Sequence, residues 1–213
     1  MARHPLDEMP PEESERLQGI YEPFTQVVRD LVDATIRTTV DEAEVLKVQA
    51  ELEDIVARLR ERELDGSFAV SNRGRHWGNT VVGIRNAAAP PVHVERDSSG
   101  RAWADFHLGA AYEGPPGLVH GGVSALILDQ LLGEATGAGG KPGMTASLTL
   151  TYRRATPLGD LRVEAWIERS EGIKTWAKGH ISNADGITVE AEGLFILPRW
   201  AREAPQPPEG SFE

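Results

Sequence analysis

The segment from Val123 to Leu132 constrains this chain more than any other, because as a helix it is apolar on every side except at Ser124, Asp129 and Gln130. A helix of that kind is not stable on a surface and has to be enclosed. The flanking sequence supplies the material. Before it, Val81–Arg85, Val92–Arg96 and Arg101–Leu108 carry strand patterning, with Asp97-Ser98-Ser99-Gly100 as a hairpin turn. After it, strands are expected at 143–154, 161–170, 173–183 and 187–197, separated by Gly159-Asp160, Glu171-Gly172 and Asp185-Gly186. One enclosed helix and about six antiparallel strands predict an α+β arrangement, a sheet wrapped around the helix. Within 143–154, strict alternation puts Met144, Ala146, Leu148, Leu150 and Tyr152 on one face and Thr145, Ser147, Thr149, Thr151 and Arg153 on the other.

The N-terminal part has a different texture. Residues 1–16 are acidic and Pro-rich and are expected to be a mobile tail. Residues 17–66 read as a helical extension. Val27, Val28, Leu31, Val32 and Ile36 form one apolar stripe, and Val45, Val48, Leu52, Ile55 and Leu59 recur at alternating steps of three and four, the spacing of a helix-packing seam. These helices are expected to pack on the main domain or on their equivalents in a dimer. Asp65-Gly66-Ser67 ends them, and Ser71–Arg75 continues as linker. The main domain is expected over 67–197, and 198–213 as a second mobile tail.

Composition removes several function classes. A net charge of −11 without a dense basic cluster argues against nucleic acid or an anionic membrane surface as partner. The absence of cysteine excludes disulfides, thiolate metal sites and a cysteine nucleophile, and fits a cytoplasmic location. The first residues, MARHPLDEMPPEESER, lack the apolar core of a signal peptide. No run approaches the ~18 apolar residues of a membrane span.

Familiar catalytic patterns also fail. Gly137–Pro142 lacks P-loop spacing, Ser124 lacks the second glycine of a nucleophile elbow, and the six histidines form no metal-ligand pair. What remains is Gly117-Leu118-Val119-His120-Gly121-Gly122 at the start of the apolar helix, with Asp129 in its middle. A glycine-opened helix start leaves N–H groups uncovered beneath the positive end of the dipole, so it can hold the oxygen of a polarised carbonyl. Aspartate inside an apolar helix is costly unless it is paired, and chemistry is one reason to keep it there; facing a polar interface is another. Gly121 and Asp129 lie eight residues apart, ~12 Å along a helix. If both act on one carbonyl, they come from two helices antiparallel across a two-fold axis, one from each chain of a dimer.

His120-Gly121-Gly122 with Asp129 nine residues after the histidine resembles the signature of the hot-dog thioesterases of the phenylacetate-pathway type, and within them the branch holding the human thioesterase superfamily members 4 and 5. The likeness includes Tyr112–Gly117 before the histidine and Thr145–Leu148, Thr151–Arg154 and Pro157–Gly159 after the helix, about 120 residues from roughly 78 to 197. The resemblance implies a hot-dog fold, a homodimer or dimer of dimers, and hydrolysis of medium-chain, long-chain or aryl-acyl-CoA to free acid and CoA, as in fatty acid metabolism. No cofactor is implied, because coenzyme A belongs to the substrate. It also implies roles: the Gly121 N–H polarises the thioester carbonyl, Asp129 is general base or nucleophile, Thr145 positions water, and His120 organises the turn. Gly122, Ser147, Arg153 and Arg154 are expected near the substrate, the two arginines either toward CoA phosphates or as solvated surface charge, the reading that general experience of surface arginines favours. Thr145 conflicts with this, since alternation puts it opposite the apolar face. The alternatives are a hot-dog hydratase or dehydratase acting on enoyl or hydroxyacyl thioesters and a non-catalytic acyl-CoA-binding protein.

Overall fold

The computed structural model describes residues 10–63, 71–72 and 75–202. The chain divides at Pro90/Pro91 into two compact units.

In the first unit, helix α1 spans Pro11–Arg37 and helix α2 Glu42–Arg60. Residues 11–16, expected as part of a mobile tail, are helical instead. Pro11 occupies the first turn, where its missing N–H costs nothing, and Glu12 and Glu13 face the positive end of the dipole. Asp41 caps α2 by accepting the Glu44 N–H at 2.9 Å. The expected end of the helical region at Asp65-Gly66-Ser67 lies outside the described residues. The strands β1 (Ser71–Asn72) and β2 (Arg75–His76) form a short antiparallel pair where a linker was expected.

The face of α1 that packs overlaps the expected stripe only in part, at Val28 and Leu31. Thr25 is the buried residue, with Tyr21, Val28 and Arg29 half-buried beside it. Trp77 meets Tyr21 edge-on, the Arg85 guanidinium lies over the Tyr21 ring, and Arg29 donates to the Ala89 and Asn86 carbonyls. Val27, Val32 and Ile36 stay exposed. Val81–Arg85, expected as a strand, is a series of turns. Asn79 Oδ1 accepts the N–H groups of both Val81 and Val82, and a Cβ at Gly83 would fall 2.3 Å from the Asn79 carbonyl oxygen. An Asx turn of this type wins over the short apolar run.

The second unit contains β3 (Glu95–Asp97), β4 (Arg101–Leu108), helix α3 (Gly121–Ala138), β5 (Met144–Tyr152), β6 (Gly159–Glu171), β7 (Lys174–Asn183) and β8 (Gly186–Ile196). They form one antiparallel six-stranded sheet in the order β3-β4-β6-β7-β8-β5, with α3 packed against it. This is the hot-dog arrangement, with the helical extension ahead of it. The expected strand over Val92–Arg96 shortens to Glu95–Asp97, where pairing with β4 begins. Gly172 and Gly186 turn the β6–β7 and β7–β8 hairpins at φ of 57° and 111°, values that suit glycine. A short helix α4 covers Arg199–Arg202.

The sheet accepts the helix because its centre is paved with small residues. Ala102, Ala165, Gly179 and Ala191 stand in register across four neighbouring strands. Gly193 continues the floor, since a Cβ there would come within 3.1 Å of Leu132 Cδ1. Into this trough α3 presses Ile127, Leu128, Leu131 and Leu132, all fully buried. Each contributes about 1.5–3 kcal/mol by leaving water. The helix is not enclosed all round, however: Ala125, Leu126, Asp129 and Gly133 are only half-buried and Gly122 is exposed. Spaced by three or four, they share one open face. No helix among the described residues is long and apolar enough to cross a membrane.

Candidate active site

The loop before α3 is held rigidly. Glu113 Oε1 accepts the Gly117 N–H at 2.6 Å, Gly114 N–H donates to the Leu118 carbonyl, and Val119 N–H donates to Thr156 across to the segment before β6. A Cβ at Gly114 would sit 2.8 Å from His120 Cα, so the loop closes tightly against the residue that starts the helix. His120 is the N-cap. Its Nδ1 accepts the Gly122 N–H at 3.0 Å, which in the neutral ring puts the proton on Nε2.

The first turn of α3 then has a simple accounting. Gly122 N–H goes to the His120 ring, and Val123 and Ser124 N–H both go to the His120 carbonyl. Among the described residues nothing accepts the Gly121 N–H. That donor is open, at the positive end of an 18-residue helix.

Two turns on, Asp129 Oδ1 accepts the Thr145 hydroxyl at 2.8 Å. The conflict over Thr145 is removed by a bulge at Ala146: Thr145 pairs with Phe195 and Ser147 with the adjacent Leu194, so β5 spends one extra residue there. Thr145 therefore shares the helix-facing side with Leu148, Leu150 and Tyr152. Ser147 stays on the outer face with Thr149 and Thr151, as alternation predicts, and the structure does not bring it to Asp129. At the other end of β5, the Tyr152 hydroxyl donates to the Gly121 carbonyl at 2.8 Å, a contact the sequence reading missed. The signal was present, in that Tyr152 alternates with Leu148 and Leu150. Strand β5 thus runs antiparallel to α3 and touches both ends of the candidate site.

The arginines are engaged elsewhere. Arg153 pairs with Glu190 at 2.6 Å and is 59% exposed. Arg154 is committed to the β7–β8 turn, donating to the Ile187 and Gly186 carbonyls and to Asn183 Oδ1. These donors hold the turn in this structure. Among the described residues no group of three His, Asp or Glu side chains is placed to hold a metal ion.

A family model of the Thioesterase superfamily matches residues 116–190, which spans the loop, α3 and most of the sheet. A solved structure of a thioesterase superfamily protein superposes with a TM-score of 0.76 at 39% identity, covering 83% of this chain and 94% of that one. The chain belongs to the thioesterase superfamily. The unit from Pro91 onward is 123 of the 213 residues, so a likeness over 83% of the chain extends into the helical unit, beyond the 120 residues of the sequence resemblance. Among curated superfamily relatives, the acyl-coenzyme A thioesterase THEM4 of Bos taurus is 36% identical over 94 residues, 43% of this chain and 38% of that protein. The acyl-coenzyme A thioesterase THEM5 of Homo sapiens is 26% identical over 104 residues, 47% of this chain and 42% of that protein. The chain therefore matches less than half the length of these curated relatives.

Proposed function

We propose that this protein hydrolyses acyl-CoA thioesters at a site shared by two copies of the chain. The observation that carries the reading is the pairing of an open Gly121 N–H with a Thr145-held Asp129 on the same helix. The names of the two curated relatives support the substrate class.

A thioester carbonyl takes the Gly121 N–H as its oxyanion donor, where the helix start stabilises the charge that develops on oxygen. Asp129 has one oxygen occupied by Thr145 and presents the other to a water molecule as general base. Water attacks the carbonyl carbon, the tetrahedral intermediate collapses, and CoA leaves as thiolate. Direct attack by Asp129 through an anhydride gives the same products. The two groups are ~12 Å apart along one helix, so Gly121 of one copy works with Asp129 of the other. Two features support a second copy here. The open face of α3 carries Asp129, and β5, beside it, is a nine-residue edge strand exposed along most of its length. Uncovered edges of that length invite pairing. Gly122 lines the donor end and His120 holds its geometry. Arg153 can turn to a CoA phosphate by giving up a surface ion pair worth less than ~1 kcal/mol.

Thiol release from acetyl-, octanoyl-, palmitoyl-, phenylacetyl- and crotonyl-CoA, compared between the native chain and Asp129→Ala, tests the proposal. Turnover that falls by ~100-fold or more in the variant supports it. Hydration of crotonyl-CoA without thiol release points to a hydratase, and tight acyl-CoA binding without turnover to a binding protein.

A further inference from the structure

Helix α2 has no buried residue along its 19 positions, yet it carries a continuous apolar stripe of Val45, Val48, Leu52, Ile55, Val56 and Leu59. Val45 is 47% exposed and Leu59 54%. Together with Leu31 and Ala34 at the end of α1, Val45, Val48, Leu52 and Val56 of this stripe line an open groove of about 860 Å³. An isolated helix of this length is marginal in water, so a face of this composition implies something packed on it.

The charges beside the stripe identify the occupant. Glu44, Glu51 and Arg58 follow one another every seven residues along one flank, and Glu42, Gln49, Glu53 and Arg60 line the other. The first turn is acidic and the last turn basic. A second α2 laid antiparallel about a two-fold axis at residue 51 sets Glu44 against the second copy's Arg58 and Glu42 against its Arg60, on both sides of the seam. The two apolar stripes then face each other, with Val48 and Leu52 of each copy on either side of the axis. Parallel pairing would instead bring the two acidic turns together and align the helix dipoles unfavourably. We propose that α2 is a self-association element that pairs antiparallel with α2 of a second copy of this chain. Glu51 is the single like-charge contact at the axis. This inference does not depend on the thioesterase reading.

The chain has no cysteine, so an introduced thiol reports only its own position. Full-length Glu44→Cys and Arg58→Cys chains, mixed in equal amounts and treated with a short bismaleimide, are expected to cross-link to each other about tenfold more than either does alone, because pairing raises the effective concentration of one thiol near the other. Leu52→Glu should abolish that product, Ala50→Glu on the opposite side of α2 should leave it intact, and Glu51→Gln should increase it. All these sites lie on a helix without buried residues, so circular dichroism should show an unchanged fold. Self-cross-linking of Glu44→Cys as strong as the mixed product overturns the proposal in favour of parallel or collisional contact. Cross-linking no better than that of an exposed control, Asp185→Cys, overturns it in favour of a different occupant.

Discussion

The Tyr152 hydroxyl donates a 2.8 Å hydrogen bond to the carbonyl of Gly121, the residue whose own N–H is the open donor of α3. The ring also lies where a Gly121 side chain would begin, with Tyr152 Oη 3.3 Å from an added Cβ. One side chain from the end of β5 thereby fixes the first turn from both directions. Tyr152→Phe keeps the ring and loses only the bond, worth about 0.5–1.5 kcal/mol. If that bond orients the oxyanion donor, kcat for thioester hydrolysis falls by up to ~10-fold with KM nearly unchanged. A fall confined to KM would assign Tyr152 to substrate binding instead.

Thr145 separates a hydrogen-bonding role from a packing role. Its hydroxyl is the group that reaches Asp129, and the bulge at Ala146 is what points it there. Thr145→Val preserves shape and deletes the donor. A hydrogen bond to a charged group contributes about 1.5–3 kcal/mol, so kcat should drop by ~10- to 100-fold. Thr145→Ser should stay within a few-fold of the native chain. Damage from Thr145→Ser with little from Thr145→Val would show that the methyl group, not the hydroxyl, matters.

How much of this was legible depended on whether a feature was local. His120, Gly121 and Asp129 lie within ten residues at the start of one helix, and the helix rise alone is what makes a shared site part of the proposed mechanism. The β4 strand and the turns at 97–100, 171–172 and 185–186 were likewise readable, because turn residues and alternation are local signals. The bulge at Ala146 was not. It is defined by how Thr145 and Ser147 register against Phe195 and Leu194 some fifty residues later, and one inserted residue reverses every assignment before it. Tyr152 was missed for the same reason, since its partner is on another element. Val81–Arg85 failed because an Asn79 side chain two residues upstream outcompeted strand pairing. The three turn acceptors of Arg154 could not be read either, because they lie some thirty residues away on the β7–β8 turn.

Acid stability should carry a signature of the β3–β4 turn. Asp97 accepts the Ser99 hydroxyl at 2.5 Å and the backbone N–H groups of Ser99 and Arg101. The Ser99 hydroxyl is the main reason its carboxyl sits below the ordinary aspartate value, and the two N–H groups add to it. A carboxyl lowered in the folded state stabilises above its unfolded value and loses that contribution as pH falls through the folded one. Asp97→Asn should therefore lower the melting temperature at neutral pH and leave a smaller difference from the native chain in acid. A difference that stays constant with pH would remove the carboxylate charge from the turn's stability.

The shared site can be tested by complementation, and the helix geometry supplies a suitable variant. Gly121 is the first residue of α3, a position that tolerates proline, and His120 before it has ψ of 132°, within the range that proline imposes on its neighbour. Gly121→Pro therefore deletes the candidate oxyanion N–H while leaving the helix able to form, provided the Tyr152 ring, 3.3 Å from the added Cβ, shifts by a few tenths of an ångström. Loss of one such donor typically costs about 10²- to 10³-fold in kcat, and Asp129→Ala should be at least as damaging. If each site takes Gly121 from one chain and Asp129 from the other, subunit exchange between these two inactive proteins rebuilds one intact site per mixed dimer. Equal mixing makes half the dimers mixed, so activity should return to about a quarter of the native level. If both groups instead served a site within one chain, every mixed dimer would hold two singly damaged sites and the mixture would stay inactive.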